Sequence, residues 1–216
     1  MAGTVAVPYD AGPFLPRRGG LEAHRKAAAG CRGCPLWEGT TGTVFGAGDP
    51  GARLVLVGEQ PGDQEDRRGE PFVGPAGRLL RRAAAEAGLD LAECYVTNAV
   101  KHFKYTVPAG GKRRIHRQPT LRELSACRPW LDAELDLVGP ELVVALGATA
   151  GKALWGPDFR LGDRRGAVVE LPLPGDGGVR HAMATLHPSA VLRSDDREAA
   201  YAGLVADLTV ARRHLG

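Results

Sequence analysis

Residues 53–62 read Arg-Leu-Val-Leu-Val-Gly-Glu-Gln-Pro-Gly: an unbroken apolar run that ends in a polar turn bounded by glycines. A short apolar run without alternation, closed by turn residues, is the pattern of a strand covered on both faces, as in a parallel sheet. Three later segments share it, Tyr95–Val100, Leu142–Leu146 and His181–Leu186. Helical patterns lie between them at Ala76–Ala87, Pro119–Leu137 and Thr149–Leu154, with a last helix near Arg197–His214. In the second of these, Leu121, Leu124, Leu131 and Leu135 fall on one face of a 3.6-residue repeat. Strands alternating with helices predict an α/β single domain with a central, mainly parallel four-stranded sheet flanked by helices. Ala167–Leu171 could add a hairpin or an edge strand.

In such sheets ligands bind beyond the carboxyl ends of the strands. Those ends carry Gly58-Glu59-Gln60-Pro61-Gly62, then Asn98 with Lys101-His102-Phe103-Lys104, then Gly147, then His187-Pro188-Ser189. The third, Leu146-Gly147-Ala148, reads as a close-packing turn; the other three are polar. The first turn has neither of the glycine patterns that cradle phosphates, and a structural turn is the simpler account of it. Asn98, within an apolar strand, can donate and accept at once, which suits reading a nucleobase edge; a satisfied core amide is the alternative. Phe72 could offer a face for base stacking, or merely pack. His187 could donate to developing negative charge, or cap the following turn.

Further out, residues 1–30 are rich in Pro, Gly and Ala and predict a poorly ordered extension with a short helix at Leu21–Ala29, ahead of a main domain spanning 31–216. The 216 residues are 44% hydrophobic, enough for a core. No apolar run approaches the roughly 18 residues of a membrane span, and no basic start followed by an apolar block suggests a secretory signal. With four cysteines a disulfide scaffold is not expected, and the cytoplasm is the expected compartment. The net charge of +3 is unevenly placed: between Cys94 and Arg122 there are seven Lys or Arg and no Asp or Glu, which leaves 21 basic against 25 acidic residues elsewhere. One basic segment on a mildly acidic body suggests a polyanion site, against the plainer reading of a solvated loop.

Cys31 and Cys34, followed by Pro35, have a spacing that suits zinc or an iron–sulfur cluster. A cluster needs four ligands, and Cys94, Cys127 and His102 are the remaining candidates; a redox pair or two free thiols is the alternative. His116 sits in Gly110-Gly-Lys-Arg-Arg-Ile-His-Arg117, where cationic neighbours would favour an uncharged, nucleophilic ring. Contact with phosphate is its plainer role.

Taken together, CxxCPL, GEQPG, GEPFVGPAG, NAVKHFK, ACRPWL, ALGATA and HPSAVLR, in this order from Cys31 to about Leu208, resemble the uracil-DNA glycosylase superfamily. The resemblance is to its iron–sulfur family 4 members, and among these to the UdgX type. Three departures from family 4 carry the last step: Gln60 stands where those enzymes have alanine, His102 where they have cysteine, and the loop 109–117 is inserted. The resemblance implies a [4Fe–4S] cluster on Cys31, Cys34, His102 and Cys127, with Cys94 a core thiol. It implies uracil-containing DNA as partner, single strands favoured, and a monomer acting at the nucleoid. Phe72 would stack on uracil, Asn98 would read its edge, and Gly58 and Ser189 would line the pocket. His187 would stabilise the departing base. His116, with Glu59 as proton acceptor and Gln60 ordering the pocket or the loop, would bond to the sugar. Lys112, Arg113, Arg114, Arg117 and Arg193 would meet the DNA. A conventional glycosylase that turns over, and a metal-stabilised single-strand binding module, remain as alternatives.

Overall fold

The computed structural model describes residues 9–172 and 179–216; the first eight residues of the extension lie outside it. The four apolar segments form the parallel centre of the sheet: β2 (Leu54–Gly58), β3 (Tyr95–Asn98), β6 (Leu142–Leu146) and β8 (Val179–Thr185). The sheet has six strands rather than four. β1 (Ala47–Gly48) pairs antiparallel with β3, and β7 (Val169–Pro172) antiparallel with β8, giving the order β1-β3-β2-β6-β8-β7. β1 has two residues, too few for a periodicity. The segment 109–117 is not a plain loop, because β4 (Tyr105–Thr106) and β5 (Ile115–His116) close it into an antiparallel hairpin.

Successive side chains of a strand face opposite ways, and both faces here are covered. Val55 and Val57 join Trp130, Leu131 and Leu135 of α4 (Leu121–Val138), together with Ala150 and Leu154 of α5 (Ala148–Trp155). Leu54 and Leu56 join Leu80 and Ala83 of α3 (Pro75–Glu86), with Leu204 and Leu208 of α7 (Arg197–Leu215). Helix α4 begins at a reciprocal cap: the Glu123 amide donates to the Thr120 hydroxyl at 3.3 Å, and the Thr120 amide to the Glu123 carboxylate at 2.7 Å. It ends at Gly139, whose φ of 64° a side chain would resist.

The start of the chain is better packed than its composition predicts. From Tyr9 onward it lies on the cysteine loop: the Asp10 amide donates to the Gly33 carbonyl at 2.8 Å and the Ala11 amide to the Ala126 carbonyl at 2.9 Å. Ala11 and Ala28, the latter in α1 (Leu21–Ala28), are buried in the α4 core. Among the described residues no helix is long and apolar enough to cross a membrane.

The order of strands places the site. From β2 the chain crosses to β3 on one side, and from β6 it runs to β8 on the other, so the crevice at the carboxyl ends of β2 and β6 is the switch point where ligands bind in open α/β sheets.

Candidate active site

A cavity of about 750 Å3 opens at that crevice. Glu59, Gln60, Phe72, Asn98, Arg113, His116, His187, Ser189 and Arg193 line it, so residues spread over more than 130 positions of sequence meet at one place. Gly58 lies beneath them. A Cβ there would come within 2.3 Å of Asn98 Oδ1 and 2.7 Å of the Phe72 ring, so glycine is what lets those two groups approach β2. Phe72 is held in a left-handed conformation, φ 56°, costly for an aromatic residue. Two features sustain it: the Arg81 guanidinium donates to its carbonyl at 3.1 Å, and Gly77 leaves room where a Cβ would lie 1.7 Å from that oxygen. The carboxylate of Glu65, in α2 (Asp63–Arg68), accepts from the Gly62 amide at 3.1 Å and the Gly74 amide at 2.7 Å, tying the Glu59 turn to the Phe72 loop. The Asn98 carbonyl accepts from the fully buried Lys101 ammonium at 2.6 Å, and that ammonium is also paired with Glu134.

His187 caps α6 (Pro188–Arg193). The Ser189 amide donates to its Nδ1 at 3.1 Å, so the neutral ring carries its proton on Nε2. Burial pushes this imidazole down to about 4, with Arg193 and His116 adding to the effect and Glu59 opposing it. At neutral pH it is an uncharged hydrogen-bond donor. Its ring lies 6.5 Å from that of Phe72, tilted by 30°.

His116 stands at the mouth, its side chain 52% exposed, with Nε2 3.1 Å from Glu59 Oε1. The charge nearest this ring is therefore a carboxylate, in a segment that reads as purely cationic. Burial pushes the Glu59 carboxyl up, but hydrogen bonds from His116 and Thr149 and the nearby imidazoles outweigh it and hold the group below the ordinary carboxylate range. Gln60 is buried and fixes both arms of the hairpin: its amide nitrogen donates to the Arg117 carbonyl at 2.9 Å, and its oxygen accepts from the Lys104 amide at 2.9 Å.

The basic segment does not act as one surface. Arg114, expected at DNA, is turned inward. Its guanidinium meets Asp63 and Asp66 at 2.5 Å each and lies over the Phe103 and Tyr105 rings, with the side chain 12% exposed. Two carboxylates offset its charge, so it latches the hairpin to α2. Arg113 and Arg193 reach the cavity, while Lys112 and Arg117 are exposed on the hairpin. Sequence reading missed Thr149 and Gln118, which also line the cavity. Thr149 follows β6 at a strand end, a position the strand-end rule covers, but its neighbours Gly147 and Ala148 read as packing.

Below the site, Cys31, Cys34, His102 and Cys127 are all buried. Each of the three sulfurs receives an N–H: Trp130 Nε1 reaches Cys31 at 3.3 Å, the Lys101 amide reaches Cys127 at 3.3 Å, and the Leu36 amide reaches Cys34. Burial pushes the Cys127 thiol up to about 12 and also raises Cys34, so thiolates here need a cation beside them. Burial pushes the His102 imidazole down to about 4, into the neutral form that ligates metals, with Asp66 opposing. Among the described residues no three such side chains converge closely enough for a single ion. A polynuclear cluster holds its ligands farther apart, and the donor set suits one. Cys94 lies in the α3–α7 core on the opposite face of the sheet from Cys31 and Cys127.

An apolar ring, an amide and two imidazoles thus meet in one cavity at the switch point of a parallel sheet. The sequence profile described as the Uracil DNA glycosylase superfamily matches residues 45–209, and the chain belongs to that superfamily. It is similar to the Type-4 uracil-DNA glycosylase of Thermotoga maritima, 34% identical over 171 residues that cover 78% of this chain and 81% of that one. The Type-4 uracil-DNA glycosylase of Archaeoglobus fulgidus is 36% identical over 166 residues, 75% of this chain and 78% of its own. The Type-5 uracil-DNA glycosylase of Thermus thermophilus is 36% identical over 179 residues, 73% of each.

Proposed function

We propose that this protein excises uracil from DNA and then becomes covalently attached to the abasic sugar through His116, as in the UdgX type. Superfamily membership supports the excision. The observation that carries the attachment is the His116–Glu59 pair at the cavity mouth, 3.1 Å apart.

A deoxyuridine, single-stranded or turned out of its duplex, enters the cavity. Phe72 stacks on the base. The Asn98 amide donates to O4 and accepts from N3–H; cytosine, which reverses both, is refused. As the N1–C1′ bond breaks, its electron pair leaves with uracil, and Nε2–H of His187 donates to the developing oxyanion. The sugar is left as an oxocarbenium-like cation. The His116 ring nitrogen not bonded to Glu59 gives its lone pair to C1′, and the proton on the other nitrogen passes to the Glu59 carboxylate. A C–N bond has formed, and the protein is consumed. Arg113, Arg193, Lys112 and Arg117 contact phosphates, which sets affinity more than base choice.

Cys31, Cys34, Cys127 and His102 would hold a [4Fe–4S] cluster. When bound it cross-links the cysteine loop to α4, a structural role, since glycosidic cleavage moves no electrons to or from a metal.

The names of these relatives fit a conventional glycosylase that turns over equally well. Peptide mapping by mass spectrometry after reaction with a uracil-containing oligonucleotide separates the readings. The proposal expects a deoxyribose-linked peptide at His116. Stoichiometric recovery of the unmodified peptide alongside released uracil would leave only conventional hydrolysis.

A further inference from the structure

Glu59 has two carboxylate oxygens, and both are engaged. One faces His116 at 3.1 Å; the other accepts from the Thr149 hydroxyl, across the crevice between β2 and β6. The direction of this second bond is set by a third residue. The Gln118 amide donates to Thr149 Oγ1 at 2.9 Å, so the single hydroxyl proton of Thr149 is the one left to point at Glu59. Thr149 is buried at the start of α5. Gln118 lies two residues beyond His116, where the chain leaves the hairpin. The chain of bonds therefore runs from the hairpin's exit to the opposite wall of the crevice and back to the hairpin's histidine.

We propose that Thr149 and Gln118 are positioning residues for His116, acting through Glu59. The inference rests on the reading that His116 attaches to the sugar. Without a bond to its far oxygen, the Glu59 carboxylate is free to rotate, and His116 loses the partner that aims its ring and takes its proton. Water then reaches C1′ more often before the imidazole does. What the two residues govern is the partition of the cation between attachment and hydrolysis.

The test uses the full-length protein and a uracil-containing single strand. It follows the ratio of covalent adduct to free abasic strand once uracil release is complete. That ratio does not depend on how fast the base is released, so a variant that merely folds poorly lowers both products together. Thr149→Val should lower the ratio by about tenfold, the scale of losing one hydrogen bond to a charged group. Thr149→Ser, which restores the hydroxyl, should recover it. Gln118→Ala, at an exposed residue, should shift the ratio the same way by a smaller factor. Wild-type ratios in both Thr149→Val and Gln118→Ala would overturn the inference and leave attachment through His116 standing. A wild-type protein that forms no adduct overturns the attachment reading itself, and this inference with it.

Discussion

His187 is held in one protonation state and one tautomer by its surroundings. An unfolded chain titrates this ring near pH 6.5, whereas burial takes it to about 4 in the folded protein. Between these values the unfolded state binds a proton that the native state does not. Stability from this group is therefore complete above about pH 6.5 and is lost as pH falls toward 4. Denaturant unfolding at pH 7 and pH 5 should show a larger loss for the wild type than for His187→Ala. Equal losses would place the ring in solvent-like surroundings. In the proposed mechanism the same variant removes the donor to the leaving oxygen, and single-turnover uracil release should slow by about 10²- to 10³-fold. Gly58→Ala makes a different case at this scale. Its Cβ would overlap Asn98 Oδ1 and the Phe72 ring, so uracil release should collapse while binding to a thymine-containing strand persists. The candidate roles of these residues were readable because each stands at a strand end. The reason Gly58 must be glycine was not, because both groups it makes room for come from other segments.

The hairpin β4–β5 carries His116, on which the proposed attachment depends, and it is fixed from outside. Gln60 bonds both its arms, and Arg114 ties it to α2. The consecutive cations Arg113 and Arg114 look alike in sequence, yet one lines the cavity and the other is neutralised by Asp63 and Asp66. No local pattern distinguishes them, since the deciding carboxylates lie about fifty residues upstream. Arg113→Ala should weaken binding to any single strand and reduce the salt slope by about 1. Arg114→Ala should leave the slope near the wild-type value while lowering adduct yield, because it releases the hairpin rather than a phosphate. Filter-binding titrations across a salt series distinguish the two; equal slopes for both variants would contradict the assignment. Other elements escaped for physical reasons. Helix α2, Asp-Gln-Glu-Asp-Arg-Arg, has no apolar face to give a period, and β1 is held by the neighbouring strand rather than by its own residues.

At the scale of the whole molecule, the alternation of strands and helices was legible because buried parallel strands need continuous apolar runs; β2 and β6 supply them, and β8 does so over Ala182–Ala184. The sheet also separates two kinds of cysteine. Cys31 and Cys127 belong to the core on the α4 side, and Cys94 to the core on the α3–α7 side. Cys127→Ala should yield less soluble protein and lose the brown colour of an iron–sulfur cluster, while Cys94→Ala should keep both. Equal loss of colour from the two would overturn the ligand assignment.

At the crevice between the strand ends, the proposed function has one set of residues release the base and another capture the sugar. The direct test is to incubate wild type and His116→Ala with a labelled uracil-containing single strand, boil both in detergent, and resolve them on a denaturing gel. Wild type should give a retarded band carrying both protein and DNA, at most one strand per protein. His116→Ala should give no such band but an unattached abasic strand that alkali cleaves. A boiling-resistant adduct from His116→Ala, or free abasic product in excess of wild-type protein, would contradict the account.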